Sequence, residues 1–338
     1  MRKLYIIFFE IFVLIYEYIL IQEKSIILKK KNNNIAVKSI KAIINSKLYK
    51  LLKKKLVNID SLYFNGIMRF GNYFISLNNA IIFCELFKCK RIILIYNNTF
   101  INHPIFYLKY NLTIEPNQVF NNINNNSINL NLNIFFYLNF SLLGDVDRFY
   151  LFRNEIMKYL PKVKVHPYDL FIYIRGGDIF NTINKSNKEY QQPPFCFYES
   201  ILNNFTFRNV RIICEDKFNP VILLLLKKYP YIIYNKNNLK LDISYLINSF
   251  NTVSAVSSFL TIINKFNHNL KYLWEYDFIK SRVRYLHLHY SVYTFPYNYS
   301  IYIMNASENY KKIMDPFINS KKQRKMCSKF LSYTSKNN

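Results

Sequence analysis

Apolar runs of strand length alternate with apolar patterns of helical period from Asp169 to Phe266. "DLFIYI" is a continuous apolar run ending at Ile174, "VRIICED" is a second from Val210, and "YIIYN" is a third from Tyr231. Between them lie "PPFCFYESILNNF" and "NPVILLLLKKY", each opening on proline and continuing with helical spacing. "KLDISYLINSF", "NTVSAVSSF" and "LTIINKF" then predict helix, short strand with a tight turn, and helix. Strands of this kind separated by helices predict a parallel sheet with crossover helices.

A similar alternation precedes it. Asn72 to Lys88 carries Phe74, Leu77, Ile81 and Cys84 at helical spacing, and "RIILIY" follows as a short buried strand. "NQVFNNINNNSINLNLN", Asn117 to Asn133, is of low complexity and is predicted to be a loop or insertion. Upstream, Leu4 to Ile21 is apolar apart from Glu10 and Glu17 and is about as long as a membrane-spanning helix. It has no small-residue cleavage site, so it is expected to be an uncleaved anchor. The predicted organisation is a signal-anchor over 1–22, a stem over 23–58, an N-terminal α/β domain over 59–160, and a C-terminal α/β domain with a tail over 161–338.

Composition changes this picture little. With 51% hydrophobic and 18% aromatic residues, the 338-residue chain can bury a sizeable core. Its net charge of +26 raises nucleic acid as a partner. Yet Lys, Asn, Ile, Phe and Tyr are enriched together, as A/T-rich codons would produce, and the basic residues are scattered. A basic nucleic-acid-binding protein is therefore kept as an alternative, and no nucleic acid is the expectation. The five cysteines follow no zinc-like spacing; Cys84 and Cys89 are expected to pack in the core, with a disulfide as the alternative. Eight Asn-X-Ser/Thr sequons permit a secretory-pathway lumen.

The stretch with most chemistry is "FIYIRGGDIF", which places Arg175, two of the chain's five glycines and Asp178 at the end of a predicted strand. In parallel α/β sheets ligands bind beyond the C-terminal strand ends. Arg175 there suits a diphosphate, because its guanidinium forks onto two oxygens, and Gly176 and Gly177 let backbone approach a ligand. A Gly-Gly turn with a surface ion pair is the alternative. "AVSSF" sets Ser257 and Ser258 ahead of an apolar helix, and "RFGNYF" sets Gly71 and Asn72 at another helix start. Tyr190 and Gln191 either line an acceptor cleft or pack a helix, and His287 and His289 share a strand face with no third metal ligand in view.

These residues together resemble the fucosyltransferase superfamily of α1,2-, α1,6- and protein O-fucosyltransferases. "RFGNYFISLNNA" is similar to its "GxGNQ"-like element and "YIRGGD" to its "HxRxGD" donor motif. "IICEDK" resembles its second, "TD"-like element, and "AVSSF" its third motif. All four occur in family order between Asn65 and Phe266. Tyr173 stands where the family has His, and Tyr73 where it has Gln.

The resemblance implies a GT-B architecture of two Rossmann-like domains facing a cleft. It implies inverting, metal-independent transfer of fucose from GDP-fucose to a glycan or protein hydroxyl, with no cofactor beyond the donor. By the same resemblance Arg175 and Asn72 are catalytic, and Arg175, Gly176, Gly177, Asp178, Asp216, Asp242, Ser257, Ser258 and Phe259 bind the donor. Asp242 or Asp216 would read guanine, and Glu215 and Asp178 are candidates for the general base. The implied setting is the Golgi or endoplasmic reticulum membrane, single-pass, with a lumenal catalytic part. An inactive relative kept for binding is the other alternative.

Overall fold

The computed structural model describes residues 61–65, 70–94, 101, 104–107, 111–116, 127–131, 150–180, 192–255, 257–277, 300–305, 308–314 and 319–327. The apolar segment over 4–21 and the stem lie outside the described residues, among which no helix is long and apolar enough to cross a membrane. The chain divides into two units. One comprises Met1–Met68 and Tyr73–Leu151, the other Arg69–Asn72 and Phe152–Asn338.

The first unit holds β1 (Ser61–Asn65), α1 (Phe70–Phe87) from Tyr73 onward, β2 (Arg91–Leu94), β3 (Ile105–Tyr107), β4 (Leu112–Pro116) and β5 (Ser127–Asn131). Its sheet runs β3-β4-β2-β1-β5, parallel except for β3, which pairs antiparallel with β4. Helix α1 begins at Phe70, two residues earlier than its apolar period predicts, and is buried from Tyr73 to Ile81 on every side. It ends where Lys88 takes a left-handed φ of 59° and the Cys89 N–H reaches back to the Cys84 carbonyl at 3.0 Å, satisfying a terminal carbonyl.

Strand β5 corrects the reading of 117–133 as a loop. Within that Asn-rich stretch, Ser127–Asn131 pairs along the whole length of β1, Leu62 opposite Ile128 and Phe64 opposite Leu130. Ile128 and Leu130 alternate with polar residues at the period of a strand, a signal hidden by the repeated asparagines.

The second unit begins with α2 (Tyr150–Lys158) and β6 (Leu170–Tyr173), then a single 3₁₀ turn at Gly177–Ile179. There follow α3 (Phe195–Asn204), β7 (Val210–Ile213), α4 (Pro220–Lys228), β8 (Ile233–Tyr234), α5 (Leu239–Asn248), β9 (Asn251–Val253), α6 (Ser258–Phe266) and β10 (Tyr272–Asp277). Last come β11 (Ser300–Asn305), α7 (Glu308–Met314) and α8 (Lys321–Cys327). The stretch from Lys271 is thus more than a tail. It adds two strands to the sheet, with Tyr272, Trp274 and Tyr276 alternating with Leu273 and Glu275.

All six strands are parallel, in the order β11-β10-β9-β6-β7-β8. Counted from β6, this is the doubly wound order 3-2-1-4-5-6, that of a Rossmann sheet. Every residue of β6 is buried because helices cover both faces. Leu170 and Ile172 join the core beneath α3 and α4, which also takes in Tyr310, Met314, Met326 and Cys327 from α7 and α8. Phe171 points the other way and stacks on Tyr245 of α5, with ring centroids 5.7 Å apart. The two faces of the sheet are therefore closed by different helices, and only its ends are left for chemistry.

Candidate functional site

Because the second sheet is wholly parallel, the loops following its strands share one edge. The strands β6 and β9 are neighbours there, but their connections diverge: β6 leads through α3 to β7 on one side, and β9 through α6 to β10 on the other. In doubly wound sheets such divergence of adjacent loops marks the switch point at which ligands bind. The loops flanking it are 174–180 and 254–257, which contain "RGGD" and the start of "SSF".

Tyr173, the last residue of β6, bridges the two. Its hydroxyl lies 3.5 Å from the Ser257 hydroxyl, and its ring lies 5.3 Å from that of Phe259. Burial pushes the Tyr173 phenol above its ordinary pKa, an effect that Arg175 and Ser257 partly offset, so it stays protonated. Ser257 caps α6, its hydroxyl accepting from the Phe259 N–H at 3.1 Å. Phe70, Gly71 and Asn72, the first turn of α1, group with this second unit, and the Phe70 ring meets Phe259 edge-on at 5.6 Å. Asn72 is the third residue of α1 and is half-buried.

Arg175 is almost fully buried, and its Nη1 lies 3.6 Å from Oε1 of the half-exposed Glu215. The paired glycines beside it have a different purpose from the one their sequence suggests. The loop after β7 fills the space next to them: a Cβ on Gly176 would stand 2.8 Å from Cys214 Sγ and 3.0 Å from Asp216 Oδ1. Gly177 has φ +62°, and a Cβ there would stand 2.0 Å from Glu215 Oε2. The glycines thus admit a neighbouring loop of the same sheet. Asp216 fastens that contact, its Oδ2 accepting from the Gly177 N–H at 2.7 Å and its Oδ1 from the Phe218 N–H at 2.8 Å.

Gly176→Ala is accordingly expected to cost about 1–3 kcal/mol, because the buried Cys214 has little room to retreat. Urea denaturation measures it, and an unchanged midpoint would show that the two loops part easily. Burial raises the Cys214 thiol to about 12, so it packs as a neutral group and is no nucleophile near neutral pH.

A buried polar network fixes the carbonyl of Arg175 from behind. Asn219 is fully buried, and its Nδ2 donates to the Arg175 carbonyl at 3.0 Å and to Gln192 Oε1 at 2.7 Å. Its Oδ1 caps α4 by accepting from the Val221 N–H at 3.0 Å. Gln192 donates to the Tyr198 hydroxyl at 2.9 Å, and its own carbonyl accepts from the Tyr310 hydroxyl. Farther round the same loop, Arg324 of α8 donates to the Phe180 carbonyl and lies against the Phe180 ring. Sequence reasoning missed Gln192, Asn219 and Arg324 as site supports. The "NP" pair at a helix start was a legible cap signal for Asn219, but nothing local pointed to its partners.

Asp242 stands in the first turn of α5, where burial raises its carboxyl to about 6 against partial relief from the Asn237 amide and Arg211. Tyr234, at the end of β8, feels the charges of both Asp216 and Asp242, and Lys217 lies over its ring at 4.8 Å. Of the residues expected to bind a donor, the structure brings together Arg175, Gly176, Gly177, Asp216, Ser257 and Phe259 around the switch point. Asp242 lies toward the β8 edge. The side chains of Asp178 and Ser258, and the whole of Tyr190, Gln191, His287 and His289, lie outside the described residues. All five cysteines are free and buried, and no group of His, Cys, Asp and Glu among the described residues is arranged to hold a metal ion.

Comparison of the chain with protein families, with curated proteins and with solved structures found no match.

Proposed function

We propose that the protein is a glycosyltransferase of the fucosyltransferase type, which transfers fucose from GDP-fucose to a glycan or protein hydroxyl with inversion. The observation that carries this reading is the position of "RGGD" and "SSF" on either side of the switch point of a 3-2-1-4-5-6 parallel sheet, where nucleotides bind in doubly wound folds. As the bond from the sugar C1 to the diphosphate breaks, negative charge gathers on the leaving phosphate oxygen. Arg175, held nearly buried at the strand end, neutralises it in a setting of low dielectric. The acceptor hydroxyl attacks the opposite face of C1 and gives up its proton to a general base, for which Glu215 and Asp178 are the candidates. Ser257 and the N-terminus of α6 add donors for the phosphates, and Tyr173 stands in for the family's histidine by tying Ser257 to β6.

The second unit is the donor domain in this reading, and the first supplies the acceptor side of a GT-B enzyme. The N-terminal apolar segment anchors the chain in a Golgi or endoplasmic reticulum membrane with the catalytic part lumenal. Incubation with a panel of nucleotide sugars in EDTA, with released nucleotide measured, tests the reaction. Release of GDP from GDP-fucose is expected, and release confined to UDP-sugars or dependent on added manganese would overturn the assignment.

Guanine recognition falls to Asp242, since both oxygens of Asp216 already accept backbone N–H groups. Guanine offers adjacent N–H donors to a carboxylate, so binding needs Asp242 ionised. With its folded pKa raised to about 6, GDP affinity is expected to fall as pH drops through that value. Folding responds in the opposite sense: the folded state keeps this proton longer than the unfolded chain does, so Asp242 lowers stability as pH rises from about 4 to about 6. Asp242→Asn should remove both dependences, measured by calorimetry and urea denaturation at about pH 5 and about pH 7.5. GDP affinity equal at the two pH values in the native chain would exclude Asp242 as the guanine reader.

A further inference from the structure

The carboxylate of Glu215 stands where an anion would be held. One oxygen lies 3.6 Å from Arg175 Nη1, and the other fills the space that a Cβ on Gly177 would take. We propose that Glu215 is an internal competitor for the anion position of this site: it neutralises Arg175 until a diphosphate displaces it. The inference rests on the reading of the switch point as a nucleotide site, and it concerns how that site is regulated and which anions enter.

The two acidic residues after β7 differ in the way this role requires. Asp216 is tied by backbone N–H groups at 2.7 and 2.8 Å and cannot leave without opening the loop. Glu215 is 51% exposed, and its pair with Arg175 is a long one, so exchanging that pair for water costs little. Arg175, with its side chain only 10% exposed, needs an opposite charge beside it, because a nearly buried unpaired guanidinium is destabilising. Glu215 supplies that charge and keeps the guanidinium aimed along the loop.

A ligand then binds only if it gives Arg175 more than one carboxylate does. A diphosphate, with two or more charges and forked oxygens, meets that condition, whereas a monoanion exchanges one weak pair for another. The site thereby discriminates against simple anions by an unfavourable element as well as by its attractive ones.

The test is calorimetric titration of the full chain with inorganic pyrophosphate and with GDP, at one salt concentration, comparing the native protein with Glu215→Gln, Glu215→Ser, Arg175→Ala and Arg175→Ala/Glu215→Gln. Both Glu215 variants are expected to bind both anions about three- to tenfold more tightly, the worth of a released surface pair together with relieved repulsion. The gain should vanish in the double variant, because it acts through Arg175. Unchanged or weaker affinity in both Glu215 variants would overturn the inference. Weaker affinity for GDP with pyrophosphate unaffected would do the same, and would make Glu215 a ligand of the nucleoside. Failure of the underlying reading has a separate signature: Arg175→Ala would then leave pyrophosphate affinity unchanged. No binding of either anion by any variant would overturn both.

Discussion

Arg175→Ala is expected to lower turnover of GDP-fucose by on the order of 10²–10³-fold, comparable to the loss of one preorganised donor from a charge-stabilising site. Arg175→Lys should lose nearly as much. An ammonium is a point charge and cannot fork onto two phosphate oxygens, and its shorter reach leaves the strand end empty of the planar group. Neither change should unfold the protein. The partner left behind, Glu215, is half-exposed and is solvated by water, and the Arg175 backbone stays held through its carbonyl by Asn219. Turnover under donor-saturating conditions, together with a thermal melt of each variant, separates the two effects. Full activity in the lysine variant would remove the assigned role of Arg175.

The largest effect on stability is expected from Asn219→Ala. The side chain is fully buried and satisfies three groups at once, the Arg175 carbonyl, the Gln192 amide oxygen and the Val221 N–H. Removing it deletes a helix cap, worth about 1 kcal/mol, and strands two buried acceptors at about 1–3 kcal/mol each. A total loss of about 3–7 kcal/mol is a large part of the roughly 5–15 kcal/mol that a folded chain has available. Asn219→Asp keeps the cap but loses both donations and places a carboxylate against two oxygens, so it should be no better. Urea denaturation measures the change, and a loss under about 1 kcal/mol for the alanine variant would mean that water replaces the side chain without cost. Activity should fall with stability, since the same amide fixes the backbone of Arg175.

The strands and helices from Asp169 to Phe266 were legible because a parallel sheet covered on both faces demands mostly apolar runs, unbroken in "LFIY" and interrupted only by Arg211 in "VRII". Helix starts were legible where a cap residue announces them, as at Asn219-Pro220 and Ser257. Strand β5 was lost among asparagines, and β10 and β11 were lost among aromatics whose alternation was read as a tail. The order of strands lies outside local pattern altogether, because pairing of β6 with β9 is decided by packing across some eighty intervening positions.

The site divides in the same way. Arg175 and Ser257 were visible as residue types at strand and helix ends. The reason for Gly176 and Gly177 was not visible, since the atoms that exclude a Cβ there belong to Cys214, Glu215 and Asp216 in the loop after another strand. Gln192 and Asn219 were not singled out, because their joint hold on Arg175 exists only once α3 and α4 lie side by side.

The central claim is a nucleotide site selective for guanine at the switch point of the second sheet, and the most direct test is calorimetry of GDP and UDP with the full chain in detergent. Uracil lacks the paired N–H donors that Asp242 would accept, and each charge-assisted bond lost from this half-buried carboxylate costs about 1–3 kcal/mol, so GDP should bind at least about tenfold more tightly than UDP. That preference should persist as salt is raised. Equal affinities for the two nucleotides, or binding of both that collapses together with added salt, would contradict the account and point to a non-specific basic surface.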